Sequence, residues 1–176
     1  KEYKMHIALT VSFKDLVAGF YENAAQGFID IKRKDDLVLV NYTDKCTFEK
    51  QWNVYTKSAR GLIFSEEKQQ IVALPFPKFF NYNEYASNLP SSEFTITEKM
   101  DGSLGIIYFW DKKWRVATRG SFNSTQAQWA EQWLYENIET DYLDYNVTYL
   151  VEIIYPQNRI VVNYDFSGLV YLSAYN

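Results

Sequence analysis

The chain has 176 residues, with 18 Lys or Arg against 22 Asp or Glu, for a formal net charge of -4. Apolar residues make up 47% and charged residues 23%, ordinary globular usage, and the length suits one domain able to bury its own core. One cysteine, Cys46, excludes an internal disulfide framework and a cysteine-based zinc cluster, and one histidine, His6, excludes a histidine-rich metal site. No run approaches 18 apolar residues and the first residues lack a signal-peptide pattern, so the expectation is a soluble, cytoplasmic protein with no membrane partner. The mild acidity gives no global pull toward nucleic acid, although a basic face fits inside a negative total. Aromatics are abundant at 18%, and such residues serve first as core and strand positions.

In chain order, Phe13, Leu16, Val17, Phe20 and Tyr21 repeat at helical spacing and predict an amphipathic helix over 13–25. Residues 28–34 and 37–42 are β-rich runs around Asp35-Asp36, a hairpin. A second pair, 60–65 and 70–74, is joined across Glu66-Glu67-Lys68. Residues 94–97, 104–110 and 114–118 read as three strands, the last two joined through Asp111-Lys112-Lys113. Residues 124–137 read as a helix capped by Asn123 or Ser124, with Trp129 and Trp133 spaced for packing. Further strands are expected at 149–155, 159–163 and 169–174. The pattern gives an α+β class, mainly antiparallel sheets with a few flanking helices, rather than alternating βαβ units. Neither GxGxxG nor GxxxxGK[ST] occurs, which closes the Rossmann and P-loop routes to a nucleotide.

Lys99, Asp101, Gly102 and Ser103 form a K-x-D-G-S turn that would place a lysine amine at a sheet edge. A nucleophilic lysine needs a neutral amine, which burial or neighbouring positive charge favours. Four fixed residues of this kind arise by chance in a chain of this length on the order of once in a thousand sequences. Other segments accompany the turn in order: Ala59-Arg60-Gly61-Leu62-Ile63-Phe64, Lys78-Phe79-Phe80-Asn81 with Glu84, Arg119-Gly120-Ser121, and Glu152 followed by Pro156, Asn158, Arg159, Ile160 and Val161.

K-x-D-G-S resembles the adenylated-lysine motif of covalent nucleotidyltransferases, and the ordered set resembles the phage-type RNA ligase 1 family. The resemblance implies a nucleotidyltransferase (ligase adenylation domain) fold and an ATP-dependent RNA ligase working in RNA repair. It implies that Lys99 attacks the α-phosphorus of ATP to form lysyl-AMP, that AMP passes to an RNA 5′-phosphate, and that a 3′-hydroxyl seals the strand. Arg60 then matches a phosphate-facing arginine, Lys78 a lysine near the triphosphate or RNA phosphate, and Thr97 and Glu98 residues that meet the adenine. Asp101, Gly102 and Ser103 belong to the nucleotide-binding turn. Arg119 stands where the family usually has Lys, trading a point charge for a fork. Glu152 matches a carboxylate on the ribose or on a metal-bound water, and Leu172 or Tyr171 falls where an apolar residue covers the adenine. ATP with Mg²⁺ (or Mn²⁺) is the implied cofactor set, and RNA with 5′-phosphate and 3′-hydroxyl ends the implied partner.

The same resemblance places a metal-holding glutamate and a K-x-K strand downstream of Asn176. The expectation is therefore a single adenylyltransferase domain over 1–176, truncated at its C-terminus and weakly active or inactive alone. Two alternatives stay open: a DNA ligase or capping-type nucleotidyltransferase with the same chemistry, and a non-catalytic nucleotide- or RNA-binding module.

Overall fold

The strand Leu37–Tyr42 has four buried residues in a row, because both its faces are covered. Val38 and Val40 pack toward the helix Phe13–Ala25 (α1), whose Leu16 and Phe20 are fully buried. Leu37 and Leu39 face the opposite way, into a second apolar layer. A strand buried on both faces reads as a continuous apolar run rather than an alternating one. The computed structural model describes residues 5–84 and 96–176.

The strands are β1 (Ile29–Lys34), β2 (Leu37–Tyr42), β3 (Arg60–Ser65) and β4 (Gln70–Ala73), then β5 (Ser103–Trp110), β6 (Lys113–Thr118), β7 (Thr148–Ile154) and β8 (Gly168–Tyr175). They form two four-stranded sheets, ordered β1-β2-β3-β4 and β6-β5-β7-β8, and every pairing is antiparallel. Short helices α2 (Asp44–Phe48) and α3 (Val54–Ser58) link β2 to β3, and α4 (Thr125–Asn137) links β6 to β7. The layers run α1, first sheet, second sheet, α4.

Between α1 and the first sheet, Phe20 stacks on Phe64 with ring centroids 5.9 Å apart. Between the sheets, Leu39 and Ile63 meet Ile106, Tyr108 and Leu150. Outside the second sheet, Val116, Val151 and Ile153 receive Ala130 and Leu134 of α4. Each such large apolar side chain removed from water contributes about 1.5–3 kcal/mol, so three layers of contact hold four layers of backbone.

The α+β class and the antiparallel pairing match the expectation. The helix over 13–25 is α1, and the helix over 124–137 is α4 with Ser124 as its cap, accepting from the Ala127 N–H at 3.1 Å. Trp129 stacks on Tyr155 with centroids 4.5 Å apart, a packing role. The β5–β6 turn is two residues long, Asp111 and Lys112, both at positive φ, the geometry that matches the twist of paired strands.

Two strand expectations need correction. Residues 159–163 are not a strand: a 3-10 turn over Pro156–Asn158 is followed by irregular backbone. The amide groups of Val161 and Val162 donate to Asp101 Oδ2 at 2.7 and 2.8 Å, so one side chain takes the place of a partner strand. The strand expected at 94–97 falls partly outside the described residues, and Ile96 and Thr97 are irregular. The helices α2 and α3 were not visible as periodicity, being five residues each. Their caps carry the signal instead: Thr43 accepts from Cys46 N, and Asn53 and Thr56 cap each other reciprocally. Cys46 is buried and donates its Sγ hydrogen to Gln51 O, as a packing thiol does. No helix among the described residues is long and apolar enough to cross a membrane.

Candidate active site

Gly61, the second residue of β3, sits at φ +95°. A Cβ there would lie 2.5 Å from Ile106 Cδ1 and 3.0 Å from Arg119 Cα, so the absence of a side chain lets β3 approach the end of β6. That approach brings Arg60 and Arg119 to one wall of a cavity of about 1180 Å³.

The K-x-D-G-S turn lines the same cavity through Lys99, Met100, Gly102 and Ser103. A Cβ on Gly102 would stand 2.4 Å from Ile153 O and 3.2 Å from Glu152 Cγ, so only glycine lets the turn lie on β7. The Gly102 amide donates to Glu152 Oε1 at 2.9 Å. Asp101 reaches sideways to the Val161 and Val162 amides, while its own amide donates to Tyr164 Oη at 2.8 Å. Ser103 Oγ donates to Asn158 Oδ1 at 3.0 Å, and Asn158 Nδ2 donates to Ile153 O at 2.9 Å. The turn is thus clasped on both sides of Gly102 by the segment that follows β7. Lys99 precedes the clasp, is exposed, and lines the cavity in irregular backbone with Thr97 and Glu98.

The electrostatics pair two cations with one strained carboxylate. Burial holds the Arg60 guanidinium below its ordinary value, with Arg119 adding to the effect and Tyr42 and Glu152 opposing it. The guanidinium of Arg60 lies 4.8 Å from the centre of the Phe79 ring, and that of Arg119 lies 5.2 Å from the centre of Tyr42. Burial pushes the Glu152 carboxyl above its ordinary value, against the Gly102 hydrogen bond and the charges of Lys99 and Arg60. Asp101 moves the other way: its two backbone hydrogen bonds, then Lys99, hold it below the usual carboxylate range.

Glu152 therefore binds protons more readily folded than unfolded. Stability falls as pH rises from the ordinary glutamate value through the raised one, and the penalty persists above it. Glu152→Gln keeps an acceptor for Gly102 N–H and removes the half-buried charge. The expected outcome is a melting temperature higher by roughly 2 °C at pH 7 and an unchanged one at pH 4. Thermal melts of both proteins across that pH range check it.

Nine of the expected site residues line this cavity: Arg60, Thr97, Glu98, Lys99, Gly102, Ser103, Arg119, Glu152 and Leu172. Leu172 reaches it through a register shift in the β7–β8 pairing, where Leu150 faces Ser173 and Val151 faces Tyr171, leaving Leu172 unopposed. Asp101 and Lys78 are not on the lining. Asp101 is turned into the clasp and borders a separate, smaller cavity. Lys78 donates to Phe79 O at 2.8 Å and stands over the rings of Phe80 and Trp52, at 4.7 and 5.5 Å. Sequence reasoning gave no role to Phe79, Gln126, Ile160 or Val170, which also line the cavity. Phe79 and Ile160 carried a signal, lying inside the Lys78-Phe79-Phe80-Asn81 and Asn158-Arg159-Ile160-Val161 segments.

A family model described as RNA ligase, of the phage RNA ligase 1 type, matches residues 58–176. The chain is 28% identical over 171 residues to "Putative bifunctional polynucleotide kinase/RNA ligase" of Autographa californica nuclear polyhedrosis virus, a match covering 80% of this chain and 24% of that protein. It is 27% identical to "Putative RNA ligase" of Thermovibrio ammonificans (81% of this chain, 40% of that one) and 23% identical to "RNA ligase" of Rhodothermus phage RM378 (81% and 42%). The chain spans from a quarter to less than half the length of these relatives. With the cavity lining and the whole clasp inside the matched segment, the chain belongs to the RNA ligase family.

Proposed function

We propose that this chain is the adenylyltransferase part of an ATP-dependent RNA ligase, a single domain with the nucleotidyltransferase fold. The observation that carries the reading is the clasped turn: Gly102 seated on Glu152 places Lys99 on the same cavity as Arg60 and Arg119. The Lys99 amine, having given its proton to solvent, attacks the α-phosphorus of ATP. The N–P bond forms, the bond to the bridging oxygen of the β-phosphate breaks, and pyrophosphate leaves. An RNA 5′-phosphate oxygen then takes the AMP from Lys99, which regains a proton. A 3′-hydroxyl attacks the activated 5′-phosphorus, and AMP departs as the strand closes.

Arg60 and Arg119 supply paired donors to the phosphates, the geometry a guanidinium fork offers. Thr97, Glu98 and Leu172 bound the region for the adenine, and Glu152 stands near Lys99 and the ribose. Among the described residues no group of three or more His, Cys, Asp or Glu side chains is placed to hold a metal ion. That donor set suits an ion held mainly by phosphates and waters, with Glu152 as its protein contact through water. When bound, such an ion neutralises phosphate charge and orients the leaving group.

Intact mass spectrometry after incubation with ATP and Mg²⁺ tests the proposal. The expected result is an AMP-sized increment on the wild-type protein that is absent from Lys99→Ala. An increment that survives Lys99→Ala, or none in either protein, overturns it.

A further inference from the structure

Two cations beside the cavity, Lys78 and Arg119, lie against aromatic rings rather than carboxylates. Among the described residues the ion pairs are Lys32–Asp30, Arg33–Glu66 and Arg115–Asp111, and neither Lys78 nor Arg119 takes part. In a chain of net charge -4 this is a local concentration of uncompensated positive charge.

The rings under these cations form a row leading away from the cavity. Arg119, on the cavity wall, covers Tyr42. Tyr42 meets Trp52 edge-on, centroids 5.1 Å apart and planes at 85°, and Trp52 meets Phe80 at 5.4 Å and 81°. Lys78 stands above the last two rings. The other tryptophans are committed elsewhere: Trp110 and Trp114 are buried, Trp129 stacks on Tyr155, and Trp133 packs under Gly168. Trp52 is half-buried and lies between α2 and α3, in a link whose caps fix its course.

We infer that Tyr42, Trp52 and Phe80, with Lys78 and Arg119, form the track on which a single-stranded RNA end lies beside the cavity. Rings with cations beside them are what a sugar-phosphate chain with unstacked bases requires: π surface for bases and positive charge for phosphates. Charge selects the occupant, since Lys78 and Arg119, neither in an ion pair, favour a polyanion over an acidic or apolar protein segment. The inference rests on the RNA ligase reading, but its tests fall on Trp52 and Lys78, which do not line the nucleotide cavity, so the two fail separately.

The test is fluorescence anisotropy with a 5′-phosphorylated oligouridylate of about ten nucleotides, read across a salt series. Trp52→Leu is expected to weaken binding about tenfold and Trp52→Phe, which keeps a ring, by less than threefold. Lys78→Gln should lower the slope of log affinity against log salt by about 0.7, one phosphate contact on a single strand. Adenylation of Lys99 by ATP, measured by mass in Trp52→Leu, should stay at the wild-type rate. Equal losses for Trp52→Leu and Trp52→Phe, or an unchanged salt slope in Lys78→Gln, overturn the inference. Slowed adenylation in a Trp52→Leu protein with a wild-type melt assigns the row to the nucleotide instead, which also overturns it. Should Trp52→Leu melt early, the Trp52→Phe affinity and the Lys78→Gln slope decide alone.

Discussion

Gly102→Ala is expected to slow adenylation of Lys99 by about 100-fold or more, the effect of displacing a reacting group by an ångström. The added Cβ would be 2.4 Å from Ile153 O, a backbone atom that has no rotamer to escape into. The turn must therefore lift from β7. Lifting it stretches the Gly102–Glu152 hydrogen bond and pulls Asp101 and Ser103 away from Val161, Val162 and Asn158 together. Overpacking of this kind costs roughly 1–3 kcal/mol, a fall in melting temperature of about 3–10 °C for a chain of this size.

Gly105→Ala is the matched comparison. Its Cβ meets Val151 Cγ2 at 2.8 Å and Ile153 side-chain carbons at 3.0 and 3.1 Å, three residues further along the same strand register. Those contacts are with side-chain tips, and they lie in the apolar layer under α4 rather than in the clasp. Its melting temperature should also fall, yet its adenylation rate should stay within a few-fold of wild type. Rates and melts of the two variants together separate general destabilisation from loss of the turn. Wild-type adenylation in Gly102→Ala would mean that the clasp does not position Lys99.

That contrast shows which parts of this molecule are written locally. The long helices and the hairpins have periods of 3.6 and 2 spread over enough residues to be read directly, and Ser124 announces its helix by capping it. Residues 159–163 misled because Ile160, Val161 and Val162 are apolar and β-branched, as a strand would be. What decides their backbone is a carboxylate 60 residues away taking their amide hydrogens, and no local pattern encodes that. The same long-range bond explains Asp101, whose motif position suggested the nucleotide and whose side chain turns to the protein. Arg60, Lys99, Arg119 and Glu152 were legible because their motifs are short and ordered along the chain. Tyr42 and Trp52 were not, because their rings join Arg119 and Lys78 only once the link between β2 and β3 folds over the end of the first sheet.

Arg60→Lys is expected to lower the adenylation rate by about 100-fold, the usual loss when one fixed donor to developing charge is removed, while the melting temperature holds or rises. Arg60 sits on the Phe79 ring with a second guanidinium, Arg119, near enough to disfavour its charge. Burial disfavours that charge further, so the folded protein holds Arg60 at a cost that Tyr42, Glu152 and the Phe79 ring only partly offset. Phosphate oxygens bound between the two forks would relieve both effects at once. Lysine keeps the charge, loses the fork, and no longer matches a planar pair of oxygens. ATP should accordingly raise the melting temperature of the wild type by mass action and raise that of Arg60→Lys much less. Melts with and without ATP, beside the adenylation rates, check both halves. An equal ATP-induced shift in the two proteins would mean that Arg60 does not meet the nucleotide, and its burial beside Arg119 would then need a purely structural cause. A lost shift with an unchanged melt of the nucleotide-free protein places the cost where a binding site concentrates it, in a cluster of like charges that is relieved only when the substrate arrives.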